Sequence, residues 1–455
     1  MKAKATKAGV TKAVVAAAAG LAWGLAAAGA SAKTADPIVR CRVELDQGVL
    51  AAGRTQTAVV KVTLDADRPL RVTERPAVNL AVVLDRSGSM NGDKLEKAKE
   101  AAIEALRRLD HRDLFSLVIY DHTVETVVPA QSAANSEWIE ARIRQIRSGG
   151  NTALFAGVSQ GAAEVRKNVE GRYVHRIILL SDGLANVGPS SPEDLGRLGA
   201  GLVKEGISVT TVGVGSDYNE DLMARLSQNS DGNTYFVRAS ADLPRIFGAE
   251  LGDVLSVVAN RVNLIIECPE GIKPISIIGR EGRIRDRTIE LSLNQLYGGQ
   301  QKFALVEVEV PAGKAGERRP VASARVDYVN ALTLREEADE ARAETRYTDA
   351  PEEAELSINV AVRKASELNR NAEAQEQAIQ LADDGRVKEA ATALRQSAEK
   401  LRSVGKKLNE KELLKKAEAI EQQAAAIEKD EDLSPEARKQ LRAESYQTKN
   451  QQLNQ

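Results

Sequence analysis

The stretch Asp85-Arg86-Ser87-Gly88-Ser89 carries three oxygen-bearing side chains at alternate positions. It directly follows the apolar run 78–84, which has the length and composition of a strand buried on both faces. A helical pattern begins after Gly92-Asp93. In open α/β sheets, ligands bind at the carboxyl ends of strands, beside helix N-termini. Because carboxylate and hydroxyl oxygens suit hard cations such as Mg²⁺ and Ca²⁺, this turn predicts a cation site.

Two other interpretations of the turn compete with a cation site at the end of a strand. The spacing of Asp85, Ser87, Ser89 and Glu96 imitates the calcium loop of an EF-hand. That loop needs glycine at its sixth position, where this chain has Met90, and a helix before it rather than a strand. A polar turn that only caps the next helix is the structural alternative, since Asp and Ser do this routinely. The turn alone does not decide between the cap and the cation site.

Two further loops carry the same kind of side chain. The glycine-rich stretch 148–152 ends in the hydroxyl of Thr152 and enters a helical pattern. The apolar run 177–180 reads as another buried strand and leads through Ser181 into Asp182-Gly183. In a doubly wound sheet, these junctions and the first turn converge at one sheet edge. The three loops together therefore favour a ligand site over a helix cap.

The order of the motifs resembles the metal-ion-dependent adhesion site of the von Willebrand factor type A (VWA) family. That site has the pattern DxSxS, then a glycine-rich turn with a threonine, then a strand-terminal Asp-Gly. The resemblance spans residues 76–256 and implies a doubly wound, mostly parallel α/β sheet of Rossmann type. All five ligand positions of the family are matched in this sequence, namely Asp85, Ser87, Ser89, Thr152 and Asp182.

The resemblance also implies a function. In the family, the two serines and the threonine touch the ion, while the aspartates often act through water. One coordination position is left for an Asp or Glu carboxylate of a partner protein. We therefore expect a non-enzymatic, metal-dependent protein-binding module for adhesion or assembly. Mg²⁺ is the expected ion, with Ca²⁺ or Mn²⁺ as substitutes, because ligand sets made only of oxygen discriminate poorly.

The first residues predict export. Residues 1–32 combine four lysines, an apolar segment and the small-residue sequence Ala30-Ser31-Ala32, as in a cleaved signal peptide. An uncleaved membrane-spanning helix is the alternative, but the apolar segment is short and rich in alanine. No later stretch is long and apolar enough to cross a bilayer. We expect a soluble mature chain in the periplasm or outside the cell.

Charge and length limit the function classes further. The full chain has a net charge of −2 at pH 7, and residues 1–32 hold four Lys and no acidic residue, so the remainder carries −6. This mild acidity predicts no nucleic-acid partner. About 420 mature residues exceed what a single core organises, which predicts two or three domains.

The distribution of patterns predicts how these domains are arranged. Alternating strand patterns occupy 38–75 and resume at 257–335, on both sides of the α/β region. We expect one β-sandwich built from both flanks, with the α/β domain inserted, as in many bacterial members of the family. Helical spacing then dominates 349–445, and 446–455 reads as a polar tail. A stretch from Gly385 faintly resembles a tetratricopeptide helix, but a single match favours a hairpin or small bundle instead of a repeat array.

The only two cysteines, Cys41 and Cys268, lie far apart in strand-like contexts. In an exported protein they permit a disulfide that would join the two halves of the split sandwich. Two buried thiols that never meet are the alternative. The spacing of cysteine and histidine residues matches no zinc motif.

Three other functions need consideration: a serine hydrolase, a metal-assisted hydrolase and a structural scaffold. Residues 157–161 fit GxSxG, but Ser159 falls inside a predicted helix, whereas a nucleophile elbow needs a strand-to-helix turn. A metal-assisted hydrolase needs a base or a second metal near Asp85, and the sequence shows neither. The main rival to metal-dependent binding is therefore a metal-independent structural scaffold in an envelope complex.

Overall fold

The computed structural model describes residues 37–68, 75–169, 172–215 and 217–452. The predicted export signal, residues 1–32, lies outside the described residues. Residues from 37 onward form one compact unit. None of the helices in the described ranges combines the length and hydrophobicity needed to span a bilayer.

The strands and helices are numbered in chain order. The strands are β1 (Val39–Leu45), β2 (Val49–Ala51), β3 (Gln56–Ala66), β4 (Ala77–Asp85), β5 (Leu114–Tyr120), β6 (Val124–Ser132), β7 (Tyr173–Ser181), β8 (Ile207–Val214), β9 (Thr234–Val237), β10 (Val257–Glu267), β11 (Lys273–Ile278), β12 (Arg283–Arg285), β13 (Thr288–Tyr297), β14 (Gln301–Val310), β15 (Arg318–Asn330) and β16 (Glu336–Thr348). The helices are α1 (Asp93–Arg107), α2 (Ser136–Arg144), α3 (Leu154–Arg166), α4 (Pro192–Lys204), α5 (Glu220–Asn229), α6 (Leu243–Val254), α7 (Pro351–Leu356), α8 (Val360–Asp383), α9 (Val387–Leu408), α10 (Lys411–Asp430) and α11 (Pro435–Asn450).

The central sheet has the strand order β6-β5-β4-β7-β8-β9. All neighbouring strands are parallel except β6, which runs antiparallel to β5. Strand β4 is buried on both faces, because Val82 packs in the core with α1 and α6 while Val83 packs in the core with α3 and α5. The chain leaves β4 toward β5 and later returns to β7 on its other side. The predicted doubly wound fold is confirmed, and its topological switch point lies between β4 and β7.

The flanking strands form two sheets that share one core. One sheet has the order β1-β3-β14-β11, and the other has β12-β13-β10-β15-β16-β2. Strand β3, before the α/β domain, pairs with β14, after it, so that Val60 lies opposite Val306. Val60 and Val306 share a core with Leu264 and Val326 from the second sheet. The predicted insertion of the α/β domain into a flanking β-sandwich is confirmed.

Strand β16 has no counterpart in the sequence analysis, which placed the end of the sandwich at 335 and the helical region from 349. Its residues are rich in Glu, Ala and Arg, and only Thr345 and Thr348 near its end are β-branched, so the strand signal is weak. The strand forms because it pairs along its length with β15, while β2 covers only its last three residues. The half-buried Asp339 connects β16 to the other sheet of the sandwich, because its Oδ2 accepts the backbone N–H of Cys41 in β1 at 2.7 Å. Exposed charges along its free edge discourage pairing with another chain.

The C-terminal helices dock on the rest of the protein. Val362 of α8 packs against Val59 and Leu305 on the outer face of the four-stranded sheet. The expected polar tail 446–455 needs correction, because α11 continues through Asn450. There, the Tyr446 hydroxyl donates to the Gly232 carbonyl at 2.7 Å. Polar residues at this end are part of the fold, since Asn450 donates to the Gly232 carbonyl of the α/β domain and Gln451 donates to the Phe303 carbonyl of β14.

The two cysteines lie in opposite sheets and face the shared core. Cys41 belongs to β1, and Cys268 directly follows β10. Both are buried free thiols in the structure, so the predicted disulfide is absent from it and stays a prediction. Burial raises the pKa of Cys41 to about 12 and that of Cys268 to about 11. Both thiols are therefore protonated and unreactive near neutral pH.

Candidate metal centre

Two carboxylates mark the switch point of the central sheet. Asp85 is the last residue of β4, and Asp182 directly follows β7. The two strands are neighbours, with Leu84 opposite Leu180. Both aspartates are fully buried. The parallel topology thus brings together two acidic side chains that lie almost a hundred residues apart in sequence.

Asp85 is held by two hydrogen bonds at the base of the site. Its Oδ1 accepts the Ser87 N–H at 2.8 Å, and its Oδ2 accepts the Ser181 hydroxyl at 2.7 Å. Burial raises the pKa of Asp85, and the neighbouring Asp182 acts in the same direction, while the bonds from Ser181 and Ser87 oppose the rise. A buried carboxylate of this kind is stabilised by a nearby positive charge.

Three hydroxyls converge above the carboxylates. The Oγ atoms of Ser87 and Ser89 lie 3.1 Å apart, and the Ser89 hydroxyl donates to Asp182 Oδ1 at 2.7 Å. A Cβ atom at Gly183 would lie 3.4 Å from both Ser89 Oγ and Thr152 Oγ1. The five residues predicted from sequence therefore surround one small volume, with only Ser89 exposed among them.

The glycine-rich loop before Thr152 is fixed by backbone contacts to the first turn. The Gly149 N–H donates to the Arg86 carbonyl at 2.8 Å, and the Gly88 N–H donates to the Gly150 carbonyl at 3.1 Å. Gly150 has a φ of +69°, and a Cβ there would lie 2.2 Å from His122 Nδ1. Glycine is therefore required for the close approach that delivers the Thr152 hydroxyl.

The structure adds a cation that the sequence analysis did not identify. Lys94, in the first turn of α1, places its Nζ 2.5 Å from Asp182 Oδ2. Arg86 similarly places its Nε 3.0 Å from Oδ2 of Asp121, the residue that follows β5. The sequence did contain a signal for Lys94. A cation in the first turn of a helix is unfavourable because it opposes the helix dipole, so a lysine at this position points to a nearby negative charge.

The donor set decides which chemistry the site supports. Two carboxylates and three hydroxyls are oxygen ligands that suit a hard divalent cation. Within the described part of the chain, no cluster of three or more His, Cys, Asp or Glu residues could hold a metal. A metal centre here therefore depends on the serine and threonine hydroxyls.

Two side chains that could serve covalent or acid–base catalysis, Ser159 and His122, make other contacts in the described part of the chain. Ser159 of the GxSxG sequence lies inside α3 and donates to the Phe155 carbonyl at 2.8 Å, as an ordinary helical serine does. His122 lies near the glycine-rich loop, with its Nδ1 3.2 Å from Asp121 Oδ1 and its side chain 60% exposed. Neither residue forms a nucleophile–base pair with the five candidate ligands in the described contacts.

Comparison with known proteins supports the VWA family for the α/β domain. Residues 79–249 match the family model of the von Willebrand factor type A domain. An uncharacterized protein of Synechocystis, sll0103, is 27% identical over 277 residues, which cover 58% of this chain and 63% of that protein. The uncharacterized protein YfbK of Escherichia coli K12 is 28% identical over 231 residues, which cover 50% of this chain and 40% of that protein. The match thus spans less than two thirds of either relative.

A solved structure supports the fold. The von Willebrand factor type A structure from Catenulispora acidiphila superposes with a TM-score of 0.63 at 19% identity. The superposition covers 79% of this chain and 87% of that one. At this identity the likeness concerns the fold alone.

Proposed function

We propose that this protein captures an acidic side chain of a partner protein through a divalent cation held by the five candidate ligands. VWA domains are typically protein-interaction modules. The observation that carries the proposal is the convergence of three hydroxyls and two buried carboxylates at the switch point of the sheet. These residues would hold Mg²⁺, or Ca²⁺ or Mn²⁺ in its place.

The charge of the ligand set supports an acidic partner. When bound, the cation would supply a positive centre for an incoming carboxylate oxygen. Ser87, Ser89 and Thr152 contribute no formal charge, and Lys94 shares the charge of Asp182. The chain's own ligands therefore leave a divalent ion incompletely neutralised, and an Asp or Glu carboxylate from outside completes the balance.

The surroundings of the candidate metal centre also suit an acidic protein surface. Arg86, Lys94 and the exposed His122 lie beside the three loops. Leu184, two residues after Asp182, is 58% exposed and offers an apolar contact next to the carboxylate position. Basic side chains and an exposed apolar residue close to the candidate ligands favour a protein partner with an acidic side chain.

We further infer that the protein acts without catalysis, in the cell envelope or the secreted space. The export pattern of residues 1–32 supports the location. The contacts of Ser159 and His122 support a binding role over hydrolysis. A scaffold that grips its partner without metal remains the alternative to be tested.

Calorimetric titration with Mg²⁺ tests the proposal. Thr152→Ala removes one hydroxyl ligand, so we expect its Mg²⁺ affinity to fall at least about tenfold relative to the wild type, since one good ligand contributes about 1.4 kcal/mol or more. Ser148→Ala is the matched control, because Ser148 lies in the same loop but bonds to Asn91 Oδ1. Equal affinities for the Thr152→Ala variant and the wild type would reject the site.

A pull-down from envelope extract, with and without a chelator, separates the two function classes. We expect the partner to be lost in chelator and from Thr152→Ala. A partner that stays bound in both cases would favour the scaffold.

A further inference from the structure

A cavity of about 490 Å³ lies beside the candidate metal centre, at the carboxyl edge of the central sheet. Leu184, two residues after Asp182, lines it on the side of the candidate ligands. Residues 217–221, between the end of β8 and the first turn of α5, line it as well, and so do Arg438 and Lys439 of α11. The C-terminal helical region therefore reaches the sheet edge at which the candidate ligands meet.

The cavity begins close to the candidate ligands. Because Leu184 follows Asp182 by two residues, their Cα atoms are at most about 7 Å apart. Strand β8 is the neighbour of β7, and a Cβ atom at Gly215, directly after β8, would lie 3.8 Å from the Nζ of Lys94. Lys94 in turn contacts Asp182. A partner bound at the metal centre is therefore within reach of the cavity.

Ion pairs fix the walls that α5 and α11 contribute. The Nη1 of Arg438 donates to a carboxylate oxygen of Glu220, and its Nη2 donates to Asp221 Oδ2 at 2.5 Å. The same Nη2 donates to Oδ2 of Asp383, at the end of α8, at 2.7 Å. The Nζ of Lys439 donates to Glu220 Oε2 at 2.8 Å. Because Arg438 is bound by carboxylates of both α5 and α8, the cavity has its shape before a ligand binds, which lowers the entropic cost of binding.

The charged groups in these walls are already paired. Glu220 and Asp221 contact the two basic residues of α11 that line the cavity. Asp221 has a further partner in Arg442, whose Nη2 lies 2.8 Å from its Oδ1. Asp217 also interacts with another residue. A charged side chain of a partner would have to compete with these contacts, so the walls favour an uncharged side chain.

The apolar lining of the cavity comes from Leu184 and Tyr218. The Leu184 side chain is 58% exposed, whereas the Tyr218 ring is buried in the core against α5 and lies under the Nζ of Lys439, which is 5.1 Å from the ring centroid. A single exposed leucine is ordinary, but here it lines a cavity beside a candidate cation site. The exposed surface of Leu184 therefore suits an apolar side chain of a bound partner.

We propose that this cavity receives an apolar side chain of the same partner whose acidic side chain binds the cation. In an extended segment, side chains two positions apart point to the same side and lie about 7 Å apart. This spacing matches the one between Asp182 and Leu184, so the apolar residue would stand two positions from the acidic one. The inference rests on the proposed function and adds a second contact to it, for which α11 supplies one wall.

Binding of short peptides to the full chain in saturating Mg²⁺ tests the proposal. The probe is the acetylated and amidated peptide Leu-Gly-Glu-Gly-Leu, which presents a leucine two positions from the glutamate in either chain direction. We expect it to bind about tenfold more tightly than Gly-Gly-Glu-Gly-Gly, as partial burial of one leucine side chain would give. The basic peptide Lys-Gly-Glu-Gly-Lys should show no such gain.

Two variants locate the contact. Leu184→Ser should abolish the preference for the leucine peptide, while Leu356→Ser, at an exposed leucine outside the cavity, should keep it. Arg438→Met should weaken the preference, because it loosens the wall formed by α11. Its control is Arg395→Met, which removes an ion pair with Glu428 between α9 and α10 and should keep the preference. Leu184→Ser changes only an exposed side chain, so it keeps the test decisive if Arg438→Met does not fold.

The outcomes separate this proposal from the proposed function. If the leucine and glycine peptides bind equally well and only in Mg²⁺, the cavity proposal is overturned while capture through the cation stands. If the leucine peptide does not bind, or if the lysine peptide gains as much as the leucine peptide, the cavity proposal is also overturned. If Leu-Gly-Gln-Gly-Leu binds as tightly as the glutamate peptide, or if binding persists in chelator, capture through the cation fails as well.

Discussion

Replacing Lys94 tests whether its ammonium competes with a divalent cation for the carboxylate of Asp182. In the structure its ammonium lies 2.5 Å from Asp182 Oδ2, with Lys94 33% exposed and Asp182 fully buried. An exposed ion pair contributes up to about 1 kcal/mol, and loss of one partner from a buried pair costs about 3–5 kcal/mol. Allowing for the solvent around Lys94, we assign this pair about 1–2 kcal/mol.

Two opposite effects follow from Lys94→Met. A divalent ion that uses Asp182 has to compete with the lysine, so the variant should bind Mg²⁺ about 5–30-fold more tightly. In chelator the same variant should unfold about 1–2 kcal/mol more easily, because among the described residues the buried Asp182 carboxylate then keeps only its hydrogen bond from Ser89. Saturating Mg²⁺ should reverse this loss of stability.

Calorimetry with Mg²⁺ and urea unfolding, with and without the ion, measure both effects. Lys97→Met is the control, because Lys97 pairs with Glu100 on the surface of the same helix. We expect the control to leave the Mg²⁺ affinity unchanged. Unchanged or weaker Mg²⁺ binding by Lys94→Met would refute the competition between the lysine and the ion.

Three further predictions concern the body of the fold. Arg176 is fully buried and bonds to Gln295 Oε1 at 2.8 Å and to the Tyr297 hydroxyl at 2.7 Å. Arg176→Met leaves the buried Glu250 with its hydrogen bonds from Thr210, Asn233 and Tyr235 but without a positive charge, so it should lower the unfolding free energy by about 3–5 kcal/mol in urea titrations, and a loss below about 1 kcal/mol would contradict this. Lys302 has its pKa lowered to about 7 from 10.5 by burial, so between these values the unfolded chain holds a proton that the folded chain lacks, and stability should rise with pH across that window. In Lys302→Met, the increase of the unfolding free energy with pH should be smaller by up to about 1.4 kcal/mol per pH unit. The same pH dependence in the variant and the wild type would contradict this role of Lys302. If Cys41 and Cys268 form a disulfide in the exported protein, a thiol reagent should label the denatured protein only after reduction. Labelling of two thiols without reductant would rule the disulfide out.

Strong local patterns made the central sheet predictable from sequence. The apolar runs before Asp85 and Asp182 predicted two buried strands, and the doubly wound fold that the family resemblance implies predicted the sheet edge at which these aspartates meet. The order of the strands was not predicted. The split sandwich was also predictable, because its strands alternate polar and apolar residues on both sides of the α/β domain.

The remaining features depend on contacts that no local pattern encodes. Strand β16 has only two β-branched residues, Thr345 and Thr348, and its formation depends on pairing with β15. Helix α11 extends beyond its expected end, where the Tyr446 hydroxyl donates a hydrogen bond to the carbonyl of Gly232. The Lys94–Asp182 pair likewise arises from tertiary packing, which places side chains from distant segments side by side.

The central claim is that the hydroxyls of Ser87, Ser89 and Thr152 hold a divalent cation. Anomalous diffraction from crystals of the full chain soaked in Mn²⁺ locates such an ion directly. We predict a single strong peak at the switch point, within bonding distance of all three hydroxyl oxygens. A saturating soak that gives no peak there, or a peak only at other carboxylates, would contradict the claim.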